Sequence, residues 1–266
     1  MINLPNQPKV VKKEGENEVV FEIEPLYPGY GVTVANSLRR VLLSSLEGAA
    51  ATQVKIKGVS HEFSTIPGVL EDVIQLSLNL KQLRFRVFTD EPQKATLKVK
   101  GEKEIKGSDF DLSSQVELIN KNCHIATLTS KSSEMEMEIR IEKGIGFSSA
   151  ETKRKEKLEM GAIQLDAIFS PVRKVSFKVE NMRVGERTDY DRVFLTLKTD
   201  GTIPPETALF QASEILENHF SSFVQSLQPK EKPQPKPVEK KERKKAAPKK
   251  KTTKVKHEET KKRKKT

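Results

Sequence analysis

Alternating apolar and polar positions form the commonest pattern along this chain. The clearest run covers residues 134–144, and its apolar positions are Met135, Met137, Ile139 and Ile141. A period of two is typical of a β-strand that buries one face and exposes the other. Similar runs occupy residues 19–25, 52–58, 95–101, 173–181 and 191–201. The pattern predicts antiparallel sheets with one solvated face.

Three other segments have the apolar spacing of helices. In residues 33–46 the positions on one side, at about 100° per residue, are Val34, Leu38, Val41, Leu42 and Leu46. A second helix is predicted after Pro67 and Gly68, with the apolar positions Val69, Val73, Leu76 and Leu80. A third is predicted from near Pro205 to about Leu227, with the near-heptad positions Leu209, Ala212, Leu216, Phe220, Phe223 and Leu227. Strands and helices mix without strict β-α-β alternation, which predicts the α+β fold class.

The outer side of the first predicted helix is unusual for a solvent face. It carries Asn36, Arg39, Arg40 and Leu43. A leucine beside two arginines offers an apolar contact together with planar guanidinium groups that bind carboxylates. We interpret this side as a docking surface for another protein. A solvated face with one stray leucine remains the open alternative, since single exposed apolar residues are common.

The third predicted helix has a wide apolar stripe. Phe210 and Ile215 lie off the near-heptad positions and widen the apolar surface. A stripe of this width can pack against the core of its own chain and against a second chain together. Packing entirely within one chain remains the open alternative, and it is the commoner arrangement.

The net positive charge of the chain comes from its last segment. The whole chain has a net charge of +11, whereas residues 229–266 carry +13 and residues 1–228 carry −2. The last segment has no aromatic residue and almost no aliphatic one, so it lacks the apolar surface that offsets the entropy cost of folding. We expect a disordered Lys-rich tail after a folded body that is long enough for a sizeable core.

The residues offer little catalytic chemistry. Cys123 is the only cysteine, which fits a reducing cytoplasm. The histidines are scattered singly, and helix or loop surfaces explain the carboxylate pairs Glu71/Asp72 and Asp189/Asp191. No nucleophile can be matched with a base and an orienting group. We predict no catalytic residue, metal, cofactor or small-molecule substrate, and no run of about 18 uncharged apolar residues predicts a membrane span.

Three long blocks of this sequence have the order and spacing of a known family. They are EPLYPGYGVTVANSLRRVLLSSLEG at residues 24–48, GVSHEFSTIPGVLEDVIQLSLNLKQL at residues 58–83 and AIFSPVRKVSFKVENMRVGERTDYDRVFLTLKTDGTIPPETAL at residues 167–209. The chain resembles the amino-terminal region of the bacterial RNA polymerase alpha subunit over nearly all of residues 1–228. This resemblance implies a noncatalytic assembly scaffold of DNA-directed RNA polymerase in the cytoplasm, at the nucleoid. It would form a homodimer and dock the beta and beta-prime subunits.

The resemblance also implies the domain organisation. A discontinuous dimerisation domain would consist of residues 1–51 and 171–228, with a β-rich domain of residues 52–170 inserted into it. The family usually continues through a flexible linker into a small helical domain that binds promoter DNA. Nothing in the printed sequence resembles that domain, and the basic tail stands in its place.

Individual site residues follow from matching the family motifs. The implied large-subunit docking residues are Arg39, Arg40, Leu43 and Lys81. The implied dimer-interface residues are Tyr30, Val34, Leu38, Leu209, Leu216, Phe220 and Phe223. Alternatives stay open, because core and obligate interface share their composition: Val34, Leu38, Leu209 and Leu216 would serve equally as core residues of one chain. Lys81 would also suit a helix C-terminus, and Tyr30 could simply pack against a turn.

The tail supplies a separate hypothesis. Its lysines and arginines would hold upstream DNA through phosphate contacts without reading its sequence, since no aromatic residue is present to stack on bases. The predicted contact residues are Lys244, Lys245, Lys249, Lys250, Lys251, Lys261, Lys262, Arg263, Lys264 and Lys265. A solubilising tail, or an RNA-binding or ribosome-associated protein acting through this tail, is the alternative. The net charge of −2 on residues 1–228 argues against the ribosomal reading.

Overall fold

The computed structural model describes residues 4–13, 15–153 and 161–227, and the predicted tail lies outside these residues. The helices are α1 Tyr30–Ser44, α2 Val73–Leu80, α3 Ala150–Lys153 and α4 Pro205–Leu227. The strands are β1 Lys9–Lys13, β2 Glu18–Leu26, β3 Glu47–Ile56, β4 Phe85–Val87, β5 Gln93–Lys100, β6 Lys103–Lys106, β7 Asp111–Leu112, β8 Val116–Leu118, β9 His124–Leu128, β10 Glu134–Ile145, β11 Phe147–Ser148, β12 Ala162–Gln164, β13 Ala167–Ile168, β14 Val172–Val184 and β15 Arg187–Thr199.

The two ends of the described chain build one antiparallel sheet. Its strands run in the order β1-β2-β15-β14. Helix α1 packs on β14 and β15, and Ala208, Leu209 and Ala212 of α4 join the same apolar core. Val19 and Phe21 of β2 point into this core, as the alternation over residues 19–25 predicts. The sheet therefore carries both of the longer helices.

The middle of the chain forms a second sheet with its own core. The strand order is β7-β5-β10-β3-β4-β8, and β12 pairs with β3. The four apolar residues that alternate along β10 are all buried, and α2 contributes Val73, Leu76 and Leu80 to the same cluster. Both sheets combine with helices in one chain, which confirms the α+β class.

Two separate apolar clusters correspond to the two sheets. One collects residues from Val19 to Leu46 and from Val172 to Ala212, and the other collects residues from Ala51 to Leu165. A small third cluster of Ala50, Ala167 and Phe169 also occurs. Residues up to Ser226 nevertheless group as one compact unit. The division into a discontinuous domain and an inserted domain therefore stays a prediction.

Two predicted helices begin at positions that differ from the sequence expectation. The first begins at Tyr30 and ends at Ser44, so Leu46 lies beyond it, although Leu46 is buried as expected. The second begins only at Val73, because the Asp72 side chain accepts a hydrogen bond from the Gln75 backbone N–H at 2.7 Å and caps the helix there. Val69 lies before this cap, in an isolated bridge to Leu128.

The start of α1 depends on a residue from a distant strand. Its N-cap position is Gly29, which has a φ of +82° and offers no capping side chain. Instead, the Asp191 carboxylate in β15 accepts hydrogen bonds from the backbone N–H groups of Gly29 at 3.0 Å and Gly31 at 2.9 Å. Asp191 is buried, and an anion is favourable at a helix N-terminus. The interpretation of Asp191 as a surface residue is therefore wrong.

Gly31 permits the close approach of α1 to the sheet. A Cβ at this position would lie 2.8 Å from Cγ1 of Val179 and 2.9 Å from Cβ of Asp191. Real Cβ atoms do not tolerate such distances in a close-packed interior. Only glycine allows the backbone N–H to reach the Asp191 carboxylate.

We expect Asp191→Ala to lower the free energy of unfolding by about 2 kcal/mol, because the buried N–H of Gly31 and the partly buried N–H of Gly29 lose a charged acceptor. Denaturant unfolding followed by circular dichroism measures the change. The matched control is Asp189→Ala in the same strand, whose carboxylate is half-exposed and pairs with Arg187, and we expect it to cost less than about 1 kcal/mol. Equal losses in the two variants would contradict the capping role.

Candidate functional site

The outer side of α1 presents the predicted arginines to solvent. Arg39 and Arg40 are both exposed. The Arg39 Nε donates a weak hydrogen bond to the Val175 carbonyl oxygen at 3.4 Å, so this side chain lies along β14. Among the described residues the Arg40 guanidinium has no hydrogen bond or ion pair. Arg40 is thus the more available group for a carboxylate of another protein.

Leu43 is less exposed than the helical spacing suggests. It is half-buried and packs partly against the core of the first sheet. Its remaining surface lies one turn from Arg40 along α1, which is the spacing at which helical side chains are neighbours. The pair therefore forms a small, partly apolar and positively charged face.

Helix α2 exposes an apolar stripe that the sequence interpretation missed. Ile74 and Leu78 are 43% and 47% exposed, and Leu70, just before the helix, is more exposed still. The three residues are spaced by four, opposite the buried positions of the same helix. The sequence contains this spacing, but the buried residues Val73 and Leu76 have the same helical period. Spacing alone therefore does not show that Ile74 and Leu78 form a separate, exposed side.

Lys81 at the end of α2 has an internal partner. Its Nζ donates to Oδ2 of Asp166 at 2.8 Å, and Oδ1 of Asp166 accepts from the Ala150 backbone N–H at 2.9 Å. The hydrogen bonds from Ala150 and from Lys81 lower the pKa of the Asp166 carboxyl. Lys81 therefore fixes the position of the segment that begins α3, and its predicted docking role would require a partner to share it with Asp166.

His124 anchors the segment that precedes α2. Its Nε2 lies 2.9 Å from Oε1 of Glu71 and its Nδ1 lies 3.1 Å from Oε1 of Glu104. The hydrogen bond to Glu71 raises the pKa of His124, because two carboxylates favour the imidazolium. Glu71 also accepts from the Thr127 backbone N–H at 2.7 Å. The interpretation of Glu71 as a surface carboxylate is therefore wrong, since its side chain is only 10% exposed and joins His124 to the Thr127 backbone.

A second exposed apolar group lies near the end of α1. Phe147 in β11 pairs with Ile168 in β13, and both side chains are exposed. A Cβ on Gly146, just before β11, would lie 3.3 Å from the Ser44 carbonyl oxygen, which places the start of this strand against the last turn of α1. The sequence pattern gave no means of distinguishing these exposed residues from core strand residues.

Helix α4 divides into a buried half and an exposed half. Leu209 is buried in the first core and Leu216 is half-buried against it. Beyond that point every described residue is exposed, and Phe220 and Phe223 are 59% and 58% exposed. Val224 and Leu227 extend the same apolar surface. Two aromatic and two aliphatic side chains in solvent form a larger patch than scattered surface residues give.

The other predicted dimer residues lie near the start of α1. Leu38 is only 7% exposed and belongs to the core of its own chain, whereas Val34 is half-buried. Tyr30 is exposed and packs edge-to-face on Tyr27, with 5.9 Å between the ring centroids. Their assignment to a dimer interface stays a prediction.

The chain's three tyrosines gather at this end of α1. Tyr27 also contacts Tyr190 at 6.0 Å, and the Arg187 guanidinium lies over both rings, 5.5 Å and 5.4 Å from their centroids. Arg187 and Tyr190 belong to the third block that resembles the alpha subunit, at residues 167–209. Stacking on two rings and pairing with Asp189 hold this guanidinium in place.

The described residues offer no alternative kind of site. Within residues 4–13, 15–153 and 161–227 no cluster of His, Cys, Asp or Glu could hold a metal ion. No helix in that part of the chain has the length and apolar character needed to cross a bilayer. The features that stand out are surfaces suited to contact with other proteins.

Comparison with known proteins identifies relatives of this chain. Residues 54–170 match the family model described as the RNA polymerase Rpb3/RpoA insert domain. The DNA-directed RNA polymerase subunit alpha of Symbiobacterium thermophilum is 46% identical over 215 residues, which cover 81% of this chain and 68% of that protein. The subunit of the same name from Thermus thermophilus is 47% identical over 215 residues, 80% of this chain and 68% of that protein.

A third relative has a similar likeness. The DNA-directed RNA polymerase subunit alpha of Porphyromonas gingivalis is 47% identical over 209 residues, 77% of this chain and 63% of that protein. The match therefore spans about two thirds of the length of these relatives. The chain belongs to the family of bacterial RNA polymerase alpha subunits. These relatives give no support to the alternative of a ribosome-associated protein.

Proposed function

We propose that this protein is a noncatalytic assembly subunit of DNA-directed RNA polymerase in the bacterial cytoplasm. Two copies pair through α4 and the start of α1, and the pair docks the beta and beta-prime subunits through α1 and α2. The single observation that carries this proposal is the exposed half of α4, which leaves Phe220, Phe223 and Val224 in solvent within one copy. A contiguous exposed apolar surface of this kind marks a site of contact with another chain.

The heptad-like spacing of α4 supports a second copy as the occupant. Leu216, Phe220, Phe223 and Leu227 follow one another at intervals of four, three and four. Such a stripe is self-complementary around a twofold axis, because the same helix face contacts its equivalent in the partner. Tyr30, exposed at the start of α1, adds an aromatic residue of the kind enriched in interfaces.

We expect Phe220→Asp to weaken the dimer by about a hundredfold without unfolding the chain, because a charge would enter an apolar interface. The fold should survive, since Phe220 is exposed within one copy. Sedimentation equilibrium measures the dissociation constant. The matched control is Phe210→Asp on the same helix, which is also exposed and lies off the heptad-like stripe. An unchanged dimer with Phe220→Asp would exclude this face.

Docking of the large subunits is the second part of the proposal. The Arg40 guanidinium has no partner among the residues that the structure describes, Leu43 keeps some exposed apolar surface, and the Ile74/Leu78 stripe on α2 adds further area. An arginine beside apolar anchors is typical of interface hot spots. The resemblance implies docking of the beta and beta-prime subunits by Arg40 and Leu43, and we extend this role to the exposed Ile74/Leu78 stripe.

We expect Arg40→Ala and Leu43→Ala to leave a folded dimer but to reduce co-purification of a large subunit by about tenfold or more. Affinity purification from the native cell, followed by quantitative mass spectrometry, measures the recovered large subunits. Lys57→Ala is the control, because Lys57 is exposed just after β3 and, within the described part of the chain, forms an ion pair with Glu136. Normal recovery with both variants would refute the docking assignment.

The basic tail is proposed to hold upstream DNA without sequence specificity. The net charge of +13 over residues 229–266 supports this idea, since lysines and arginines that neutralise phosphates release counterions. The segment has no aromatic residue for stacking on bases. Its contribution would add to the affinity of the assembled polymerase for DNA and not to the choice of promoter.

Removal of residues 229–266 should lower DNA affinity and flatten its dependence on salt, because each neutralised phosphate adds about 0.9 to the slope of log K against log salt. Fluorescence anisotropy with duplexes of two unrelated sequences, over a salt series, measures both quantities. A variant with the tail lysines changed to glutamine separates charge from length. Equal salt slopes with and without the tail would exclude DNA as its partner.

A further inference from the structure

Two arginines of the second sheet hold the segment that leads into α4. Arg86 in β4 donates from Nε to the Thr202 carbonyl oxygen at 2.8 Å, and from Nη2 to the same oxygen at 2.7 Å and to that of Gly201 at 3.3 Å. Arg84, just before β4, places its Nε 3.6 Å from Oδ2 of Asp200. We call Arg84, Arg86 and the segment 200–202 the arginine clamp.

The Arg84–Asp200 half of the arginine clamp is buried. The side chains of Arg84 and Asp200 are 9% and 6% exposed. Burial lowers the pKa of Arg84, with a further effect from Arg173. A buried guanidinium is costly unless it is paired and hydrogen-bonded, and Nη1 of Arg84 satisfies part of this need through the Lys81 and Leu83 carbonyl oxygens.

The arginine clamp links the end of α2 to the start of α4. Arg84 bonds the backbone that follows α2, and the same side chain faces Asp200. The other oxygen of Asp200, Oδ1, accepts from the backbone N–H of Thr202 at 3.0 Å and from its Oγ1 at 2.6 Å. Three residues after Thr202 the chain enters α4 at Pro205. These contacts therefore join the second sheet to the segment from which α4 begins.

Apolar packing alone does not fix this junction. A cleft of about 390 Å³ lies beside the arginine clamp, and its lining includes Phe85 from the second sheet, Ile203 and Ile215 of α4. The apolar residues of the second sheet and of α4 do not pack against each other across this cleft. The polar contacts of Arg84 and Arg86 therefore define the orientation of α4 relative to the second sheet.

We propose that Arg84 and Arg86 are positioning residues that set the direction of α4 relative to α2, and so couple the face that pairs two copies to the face that docks large subunits. The inference rests on the proposed role of α4 in dimerisation. Neither arginine contacts the exposed half of α4, so any effect on pairing acts through the segment 200–202. A coupling of this kind requires a defined contact between the two elements, which the arginine clamp supplies.

The test uses the full-length chain with Arg86→Met and, separately, Asp200→Asn. Arg86 is partly exposed and asparagine keeps the shape of Asp200, so both variants should fold even if Arg84→Met does not. Sedimentation equilibrium should show a dissociation constant raised about tenfold, because each variant removes charged contacts that orient the start of α4. Differential scanning calorimetry should show one unfolding transition in the wild type and two in each variant, because one half of the arginine clamp no longer joins the second sheet to the segment 200–202.

The matched control is Arg183→Met, an exposed arginine whose Nε bonds the Gly185 carbonyl oxygen within its own hairpin. It should change neither the dissociation constant nor the number of transitions. Wild-type values for both Arg86→Met and Asp200→Asn would overturn the proposal. A monomeric wild-type chain would instead refute the proposed dimer. Separation of the unfolding transition would in that case still support the arginine clamp, and its absence would refute it.

Discussion

The buried carboxylate of Asp191 is the contact on which the arrangement of α1 depends. The helix has no capping side chain of its own, and the acceptor for its first N–H groups comes from β15, 160 residues beyond Gly31. The orientation of α1 in the folded protein therefore depends on the β14–β15 hairpin that carries Asp191. The direction in which Arg40 and Leu43 face follows from that orientation, and so does the position of Tyr30. The geometry of this helix thus depends on a residue that is distant in sequence but adjacent in space.

The local patterns in the sequence predicted most of the elements but few of the contacts between them. Alternation over residues 134–144 identified β10 and its buried face, and the near-heptad spacing located α4 correctly. These patterns work because burial on one face imposes a fixed period on the chain itself. The cap of α1 by Asp191 and the pairing of His124 with Glu71 could not be read in this way, since both join residues that only the tertiary structure brings together.

The candidate surfaces show the same limit. The exposed half of α4 was partly predictable, because the apolar positions of the helix continue for more turns than packing against the core of one chain requires. The outward stripe of α2 was missed, because Ile74 and Leu78 repeat with the same period as the buried side, and helical spacing alone does not say which side meets the core. Leu38 and Leu209 lie inside the core of one copy, whereas Phe220 and Phe223 lie outside it. Burial, which composition does not reveal, separates these two groups.

The exposed half of α4 also has a consequence for the protein before it finds a partner. A newly made copy would display phenylalanines and a leucine that a folded monomer normally hides, and chaperones and proteases recognise such surface in the cell. With the proposed pairing through α4, single copies would be degraded or would aggregate, while paired copies would persist. The amount of usable subunit would then depend on how quickly each molecule meets another, so synthesis rate and degradation together would limit the supply of scaffold for transcription.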